Sequence, residues 1–384
     1  MPGQPRPAMI ARRRALRHLT DALRPQAGGA EAAARRRSGE IDWVALLALA
    51  NDHLVAPALH VSLRDAIRLG DLPEDVRAYL AFLHGENAVR NVCLRNQAIE
   101  LARALNGAGI RPMLLKGGLA LFADLPGTDW AGDPGLRMMR DLDFQIPREQ
   151  ADAAFAVLQQ LGYAAIARYP DGHHACGDFA RAGDPGAVDL HFELIDAAYL
   201  LPAAGLRQRA SLLQVDGAEF LVPAPTDLLL HVLLHAQIHY TGQFYHGRIE
   251  LRQLLDYALI ARRFDAEIDW DFIARHLRRH RLALPLQAYA LAAEKLLGLP
   301  SRLPLRRPVT ARLHYELCLL RIAWPRLDAL LRPAGNLCAA FARYRMDGLY
   351  GRRSPLLLRR LRHALRFLRK SDPGATLQRL FKAG

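Results

Sequence analysis

Apolar residues recur at three- and four-residue steps through 41–68 and again through 74–108, which predicts helices over both stretches. Before them, 1–25 reads as a short basic helix and the Gly-, Ala- and Arg-rich stretch 26–40 as a linker. The pattern changes after Gly107 and Gly109. Arg111-Pro-Met-Leu-Leu115 is a compact apolar run of the kind a buried strand shows, and Lys116-Gly-Gly118 breaks it. Leu119–Ala123 reads as a helix start, and 124–138, with three glycines and two prolines before Leu136, as a loop. Asp141–Ile146 alternates polar with apolar, as a half-buried strand does. An amphipathic helix is expected over 148–161, strands over 163–168, 173–180 and 188–192, and a turn at 181–186. Helical periodicity then returns at 226–240, 249–264, 270–280, 284–297, 308–322 and 354–369.

The expected class is therefore α+β: a mixed sheet with flanking helices, preceded by N-terminal helices and followed by a helical domain. The expected divisions are 1–40, 41–106, 107–224, 225–350 and a basic tail helix over 351–384.

With 384 residues, 51% of them hydrophobic and 23% charged, the chain has room for a sizeable core and lacks the bias of a disordered protein. The net charge of +14 is almost all arginine, and such a field favours polyanionic partners such as RNA, nucleotides or acidic lipid. An arginine-rich solvated surface is the plainer alternative. Cys93, Cys176, Cys318 and Cys338 form no CxxC pair, which suits a reducing, cytoplasmic setting. No run of about 18 apolar residues predicts a membrane span, and no secretory signal is evident.

Asp141 and Asp143 lie two apart on a strand, so both side chains leave one face. Asp189 sits between Val188 and Leu190 on a later strand. If the two strands are neighbours, three carboxylates converge, a set suited to one or two Mg²⁺ ions. Gly117 and Gly118 let the backbone approach a phosphate, and Lys116 adds a point charge. An isolated DxD is weak evidence: Asp269-Trp-Asp271 is a second one, in a helical context where it reads as a helix start. The signal is the order of strand, Gly-Gly turn, DxD strand and single-Asp strand.

That order resembles the nucleotidyltransferase superfamily, with its polymerase-beta-like fold, and within it a largely uncharacterised bacterial family. The matching residues are Leu115-Lys116-Gly117, Arg137 before Asp141, Gly162-Tyr163 and Asp189-Leu190-His191. The resemblance is closest over 107–195 and looser to Asp256. It implies that Asp141 and Asp143 hold metal, Mg²⁺ or Mn²⁺, and that Asp189 completes the site and aids the nucleophile. Lys116, Gly117, Gly118, Arg137, His235 and His239 would bind the nucleotide, an NTP such as ATP. The expected reaction moves NMP to an acceptor (a small molecule, a peptide or tRNA) and releases pyrophosphate. Alternatives are a toxin-like enzyme acting on tRNA and a catalytically silent binding module.

Other features stay open. His231, His235 and His239, at four-residue steps, face either the nucleotide or another helix as a polar seam. Arg248, Arg252 and Asp256 share a face and either hold triphosphate or, the favoured reading, form an Arg252–Asp256 pair. His191 and Glu193 suit a supporting role beside Asp189. His173 and His174, adjacent on an expected strand, would point apart and share no ion. Residues 352–370 carry eight cationic side chains and no acid, with leucines at helical spacing. That helix either meets an anionic membrane or RNA, or packs its leucines onto the helical domain.

Overall fold

The computed structural model describes residues 5–24, 41–65, 70, 72–122, 133–170, 172–239, 242–303 and 309–370. The linker expected over 26–40 and most of the loop expected over 124–138 lie outside them, as does the chain after residue 370. The fold class is as expected: one seven-stranded mixed sheet among helices.

In chain order the strands are β1 (Met113–Leu114), β2 (Asp141–Gln145), β3 (Ala164–Arg168), β4 (Ala175–Ala180), β5 (Ala187–His191), β6 (Ser211–Val215) and β7 (Ala218–Val222). Their order across the sheet is β3-β4-β5-β2-β1-β7-β6. β2 runs parallel to β5 and antiparallel to β1. Alternation gives β2 and β5 two unlike faces. Leu142, Phe144, Val188 and Leu190 are buried on one, where Phe144 and Phe220 stack with centroids 6.1 Å apart. Asp141, Asp143, Gln145, Asp189 and His191 occupy the other.

The helix expected over 74–108 forms as Glu74–Gly107, opened by Glu74 and Asp75, whose charges suit the positive end of the helix dipole. It supports the site from beneath. Asn87 and Asn91 donate to the Gly135, Pro134 and Arg137 carbonyls at 2.7–3.1 Å and fix the segment that leads into β2. Gln97 holds the Gly186 carbonyl ahead of β5 at 2.8 Å.

Several elements differ from expectation. Within 41–68 the helical periodicity resolves into two helices, Trp43–Asp52 and Ala56–Asp65. The chain breaks at Leu54, whose φ of 55° no helix continues. The expected helix start at Leu119 is instead a 3-10 helix, Lys116–Leu121, that includes the glycines themselves. β4 begins at Ala175, so His173 and His174 precede the strand. The hairpin β6–β7 was not anticipated, although its Asp216-Gly217 turn (φ 49° and 73°) is the Asp-Gly pair that a tight hairpin uses. Helices Pro325–Ala340 and Arg343–Tyr350 were also missed. Pro325 sits at a helix start, where proline costs nothing, but Pro333 lies inside the helix and reads as a breaker in sequence.

The apolar core is continuous among the described residues, from Ala15 and Leu16 in the first helix to Tyr344 near the end. Helix Pro225–Gln237 carries His231 and His235 and is buried almost all round.

Candidate active site

β2 and β5 pair with Asp143 directly opposite Asp189. Directly opposed residues project from the same side of a sheet, so the carboxylates that the sequence offers 46 positions apart stand side by side. His191, two residues on from Asp189, keeps that face. Its Nε2 lies 3.0 Å from Asp143 Oδ1 and 2.9 Å from Asp189 Oδ2. One ligand atom from each of Asp143, Asp189 and His191 falls within 4.8 Å of the others. Asp141 shares the face but sits at the exposed start of β2, outside that tight trio.

Lys116 reaches the same carboxylate, with Nζ 2.5 Å from Asp143 Oδ1. It can do so because its own φ is +47°, which turns the chain sharply after β1. A non-glycine residue in the left-handed region stores strain, and such strain gathers at functional sites. Gly117 and Gly118 follow, both buried. A Cβ on Gly117 would collide with Arg137 Nη1, so the turn and the guanidinium are packed as one unit. Arg137 in turn grips Asp256 through two hydrogen bonds, Nε at 2.9 Å and Nη2 at 2.8 Å. The expected Arg252–Asp256 pair is therefore replaced. Asp256 takes the planar fork of Arg137, which a four-residue step on one helix could not present as well, and Arg252 donates to the Met138 carbonyl at 3.1 Å.

The wall facing the carboxylates is rich in histidine. A cavity of about 360 Å³ is lined by Lys116, Asp141, Asp189, His191, His235 and His239, together with Tyr169, His173, His174 and Asp178. The first six belong to the expected constellation. The others were missed or dismissed. His173 and His174 were expected to diverge, but they lie before the strand and their rings are 4.2 Å apart. His174 also meets His239 edge-on at 4.7 Å. Asp178 opposes Asp189 across β4 and β5. No spacing in the sequence announces it, because a register shift in that pairing sets its position. His239 lies just past the end of its helix, and Asp196 Oδ1 is 3.2 Å from its Nδ1. His231 is buried, with no hydrogen bond to either ring nitrogen.

These neighbours reset the proton affinities. Burial opposes ionisation of Asp143, but the Lys116 charge and the His191 hydrogen bond outweigh it and hold the carboxyl far below its usual range. Asp141 moves the other way, raised by burial and then by the Asp143 charge. Burial disfavours the charged forms of Lys116 and His191, yet both are raised, Lys116 by Asp143 and His191 by its bonds to Asp143 and Asp189. Burial and neighbouring histidines push His174 down to about 3. His235 is likewise held well below its ordinary value, first by burial and then by Lys116. His174 and His235 thus present neutral imidazole to a charged floor.

The residues fit a divalent cation. Asp189 Oδ1 is buried and accepts no hydrogen bond, although its own strand partner is another acid. The oxygen-rich donor set of Asp143 and Asp189 is that of a hard ion, which would displace the Lys116 ammonium from Asp143.

A family model described as "Uncharacterised nucleotidyltransferase" matches residues 39–298. Searches of curated proteins and of solved structures return no significant match. The family match takes in the glycine turn, all three aspartates, the histidine-bearing helix and the Arg137–Asp256 pair. It spans well over half of the chain, and the protein belongs to this family of nucleotidyltransferases, enzymes that transfer phosphorus-containing groups.

Proposed function

We propose that the protein transfers a nucleoside monophosphate from an NTP to a hydroxyl or similar group on an acceptor. The new bond joins the acceptor oxygen to the α-phosphorus, the bond from the α-phosphorus to the bridging oxygen breaks, and pyrophosphate leaves. The observation that carries this reading is the pairing of Asp143 with Asp189 on one sheet face, beside the Lys116–Gly118 turn.

Asp143 and Asp189, with Asp141 at the rim, would hold magnesium, as one ion or two, or manganese in its place. When bound, the metal supplies positive charge to the transferring phosphoryl group and to the leaving pyrophosphate. Lys116 sets an ammonium at the same place, ready to exchange a carboxylate for a phosphate oxygen. Gly117 and Gly118 are buried against Arg137 and Leu114, so their part would be to shape the turn that presents Lys116 to the triphosphate. Arg137, committed to Asp256, steadies that turn more than it contacts nucleotide. Asp189 keeps an oxygen without a hydrogen bond, which suits it to accept the acceptor's proton. His235 and His239 face the cavity as neutral rings, able to hydrogen-bond a base or an acceptor without adding charge.

The test is to incubate the protein with each NTP labelled at the α-phosphate, Mg²⁺ and cell extract. Label should move to an acceptor with wild-type protein and not with the Asp141→Ala, Asp143→Ala double variant. Transfer that persists in the double variant overturns the assignment, and no transfer or NTP binding by the wild type points to a silent module.

A further inference from the structure

The helix Leu356–Lys370 is amphipathic, but its faces are reversed with respect to the protein. An amphipathic helix on a globular body turns its apolar stripe inward. Here the inward face is polar. Arg359, 3% exposed, donates to Asp347 Oδ1 at 2.5 Å and to the Gly351 carbonyl at 2.8 Å. Arg360 donates to the Phe341 carbonyl at 3.0 Å, and His363 Nδ1 lies 3.1 Å from the Tyr350 hydroxyl. The leucines point away: Leu357, Leu361 and Leu365, at four-residue steps along one stripe, are 71%, 54% and 56% exposed. The reading in which this stripe packs onto the helical domain is overturned, because polar anchors hold the inner face.

We propose that this outward stripe docks on the surface of an anionic phospholipid bilayer. Three observations select that occupant. Asp347 neutralises Arg359, but Arg362 and Arg366 face solvent beside the leucines and 352–370 contains no carboxylate, so the helix carries positive charge beside its apolar stripe. That is the make-up of a helix lying in a membrane interface, with aliphatic side chains inserted and guanidinium groups reaching up to lipid phosphates. A second copy of the helix would bring arginine against arginine, and the adjoining residues 371–384, with Arg379 and Lys382 against Asp372, would not neutralise it. No helix among the described residues is long and apolar enough to cross a membrane, so the contact is with the surface. The helix also lies outside the residues 39–298 matched by the family.

The test uses the full-length protein and flotation with vesicles of phosphatidylcholine alone or with one-third phosphatidylglycerol. The protein is expected to float with the anionic vesicles, at least about tenfold more than with neutral ones, and to be released by raised salt. Leu361→Glu with Leu365→Glu should abolish flotation, and Arg362→Gln with Arg366→Gln should reduce it severalfold. Both pairs change solvent-facing side chains, and an unaltered melting temperature checks that each variant is folded. Equal flotation on neutral vesicles, or flotation indifferent to the leucine pair, overturns the proposal. So does a concentration-dependent dimer in sedimentation that the leucine pair disperses, or tighter binding to RNA than to vesicles.

Discussion

Arg137 and Asp256, 119 residues apart in the chain, meet through two parallel hydrogen bonds at 2.9 and 2.8 Å, both side chains nearly buried. The pair joins the glycine turn to the helix Leu251–Arg263. Removing one partner of a buried pair strands the other, which costs about 3–5 kcal/mol. Asp256→Ala should therefore lower stability by that order in urea unfolding, and Arg137→Lys should recover only part of it because the fork is lost. A loss below about 1 kcal/mol for Asp256→Ala would show that water replaces the partner.

Gly117 tests the same unit from the other side. A methyl group there collides with the Arg137 guanidinium. Gly117→Ala should push Arg137 off Asp256 and reduce nucleotide transfer on the order of 100-fold, as displacement of a positioning group does. Retention of full activity, measured as label transfer, would separate the turn from the chemistry.

Metal binding has its own readout. Isothermal titration of wild-type protein with Mn²⁺ should show binding, and micromolar to millimolar Mn²⁺ should raise the melting temperature by mass action. Asp143→Asn should abolish both effects and Asp189→Asn at least weaken them tenfold. Titration curves that coincide for wild type and Asp143→Asn would exclude this site as the ion's home.

Asp328 offers a pH prediction away from the site. Burial favours its neutral form, but hydrogen bonds from Arg248 and Arg321 prevail and lower its pKa to about 2. A depressed carboxylate stabilises the fold above the unfolded value near 3.8 and loses that stabilisation as pH falls towards 2. With allowance for screening by solvent, the contribution at neutral pH is on the order of 1–2 kcal/mol. The stability gap between wild type and Asp328→Asn should be full above about pH 5 and narrow steadily below pH 4. A gap that does not change with pH would sink this account.

The second Asp-x-Asp serves as a control. Asp269 caps the helix Trp270–Arg279 by accepting from the Phe272 amide at 2.7 Å. Asp269→Ala should cost about 1 kcal/mol, as lost caps do, and leave label transfer unchanged. Reduced transfer at equal stability would assign this motif a role that its position does not suggest.

What could be read from the sequence divides along physical lines. Period-two alternation in Asp141–Ile146 and Val188–Phe192 gave the strands and the face each aspartate occupies, because alternation is a local property. Whether Asp189 joins Asp143 depended on the two strands being neighbours, which only their pairing settles. Neighbourhoods set by register were hidden. Asp178 meets Asp189 through a bulged pairing, and His174 lies before the strand because β4 starts two residues later than expected. Ion-pair choice was hidden too: Asp256 has an arginine four residues before it on its own helix, yet it binds the one that the long helix Glu74–Gly107 holds in place through Asn87 and Asn91. Local periodicity also says nothing about which way an amphipathic helix faces, which is why the leucine stripe of Leu356–Lys370 could be read as core.

The parallel pairing of β2 with β5 has a consequence for the life of the chain. Parallel neighbours cannot be joined by a tight turn, and everything from Ile146 to Gly186 must be threaded between them before Asp143 and Asp189 touch. A growing polypeptide that has emerged only as far as β4 holds half of the constellation and no partner for it. The Asp143–Asp189 pair therefore forms only when β5 slots between β2 and β4, and the site is complete only later, once His235, His239 and Asp256 have followed.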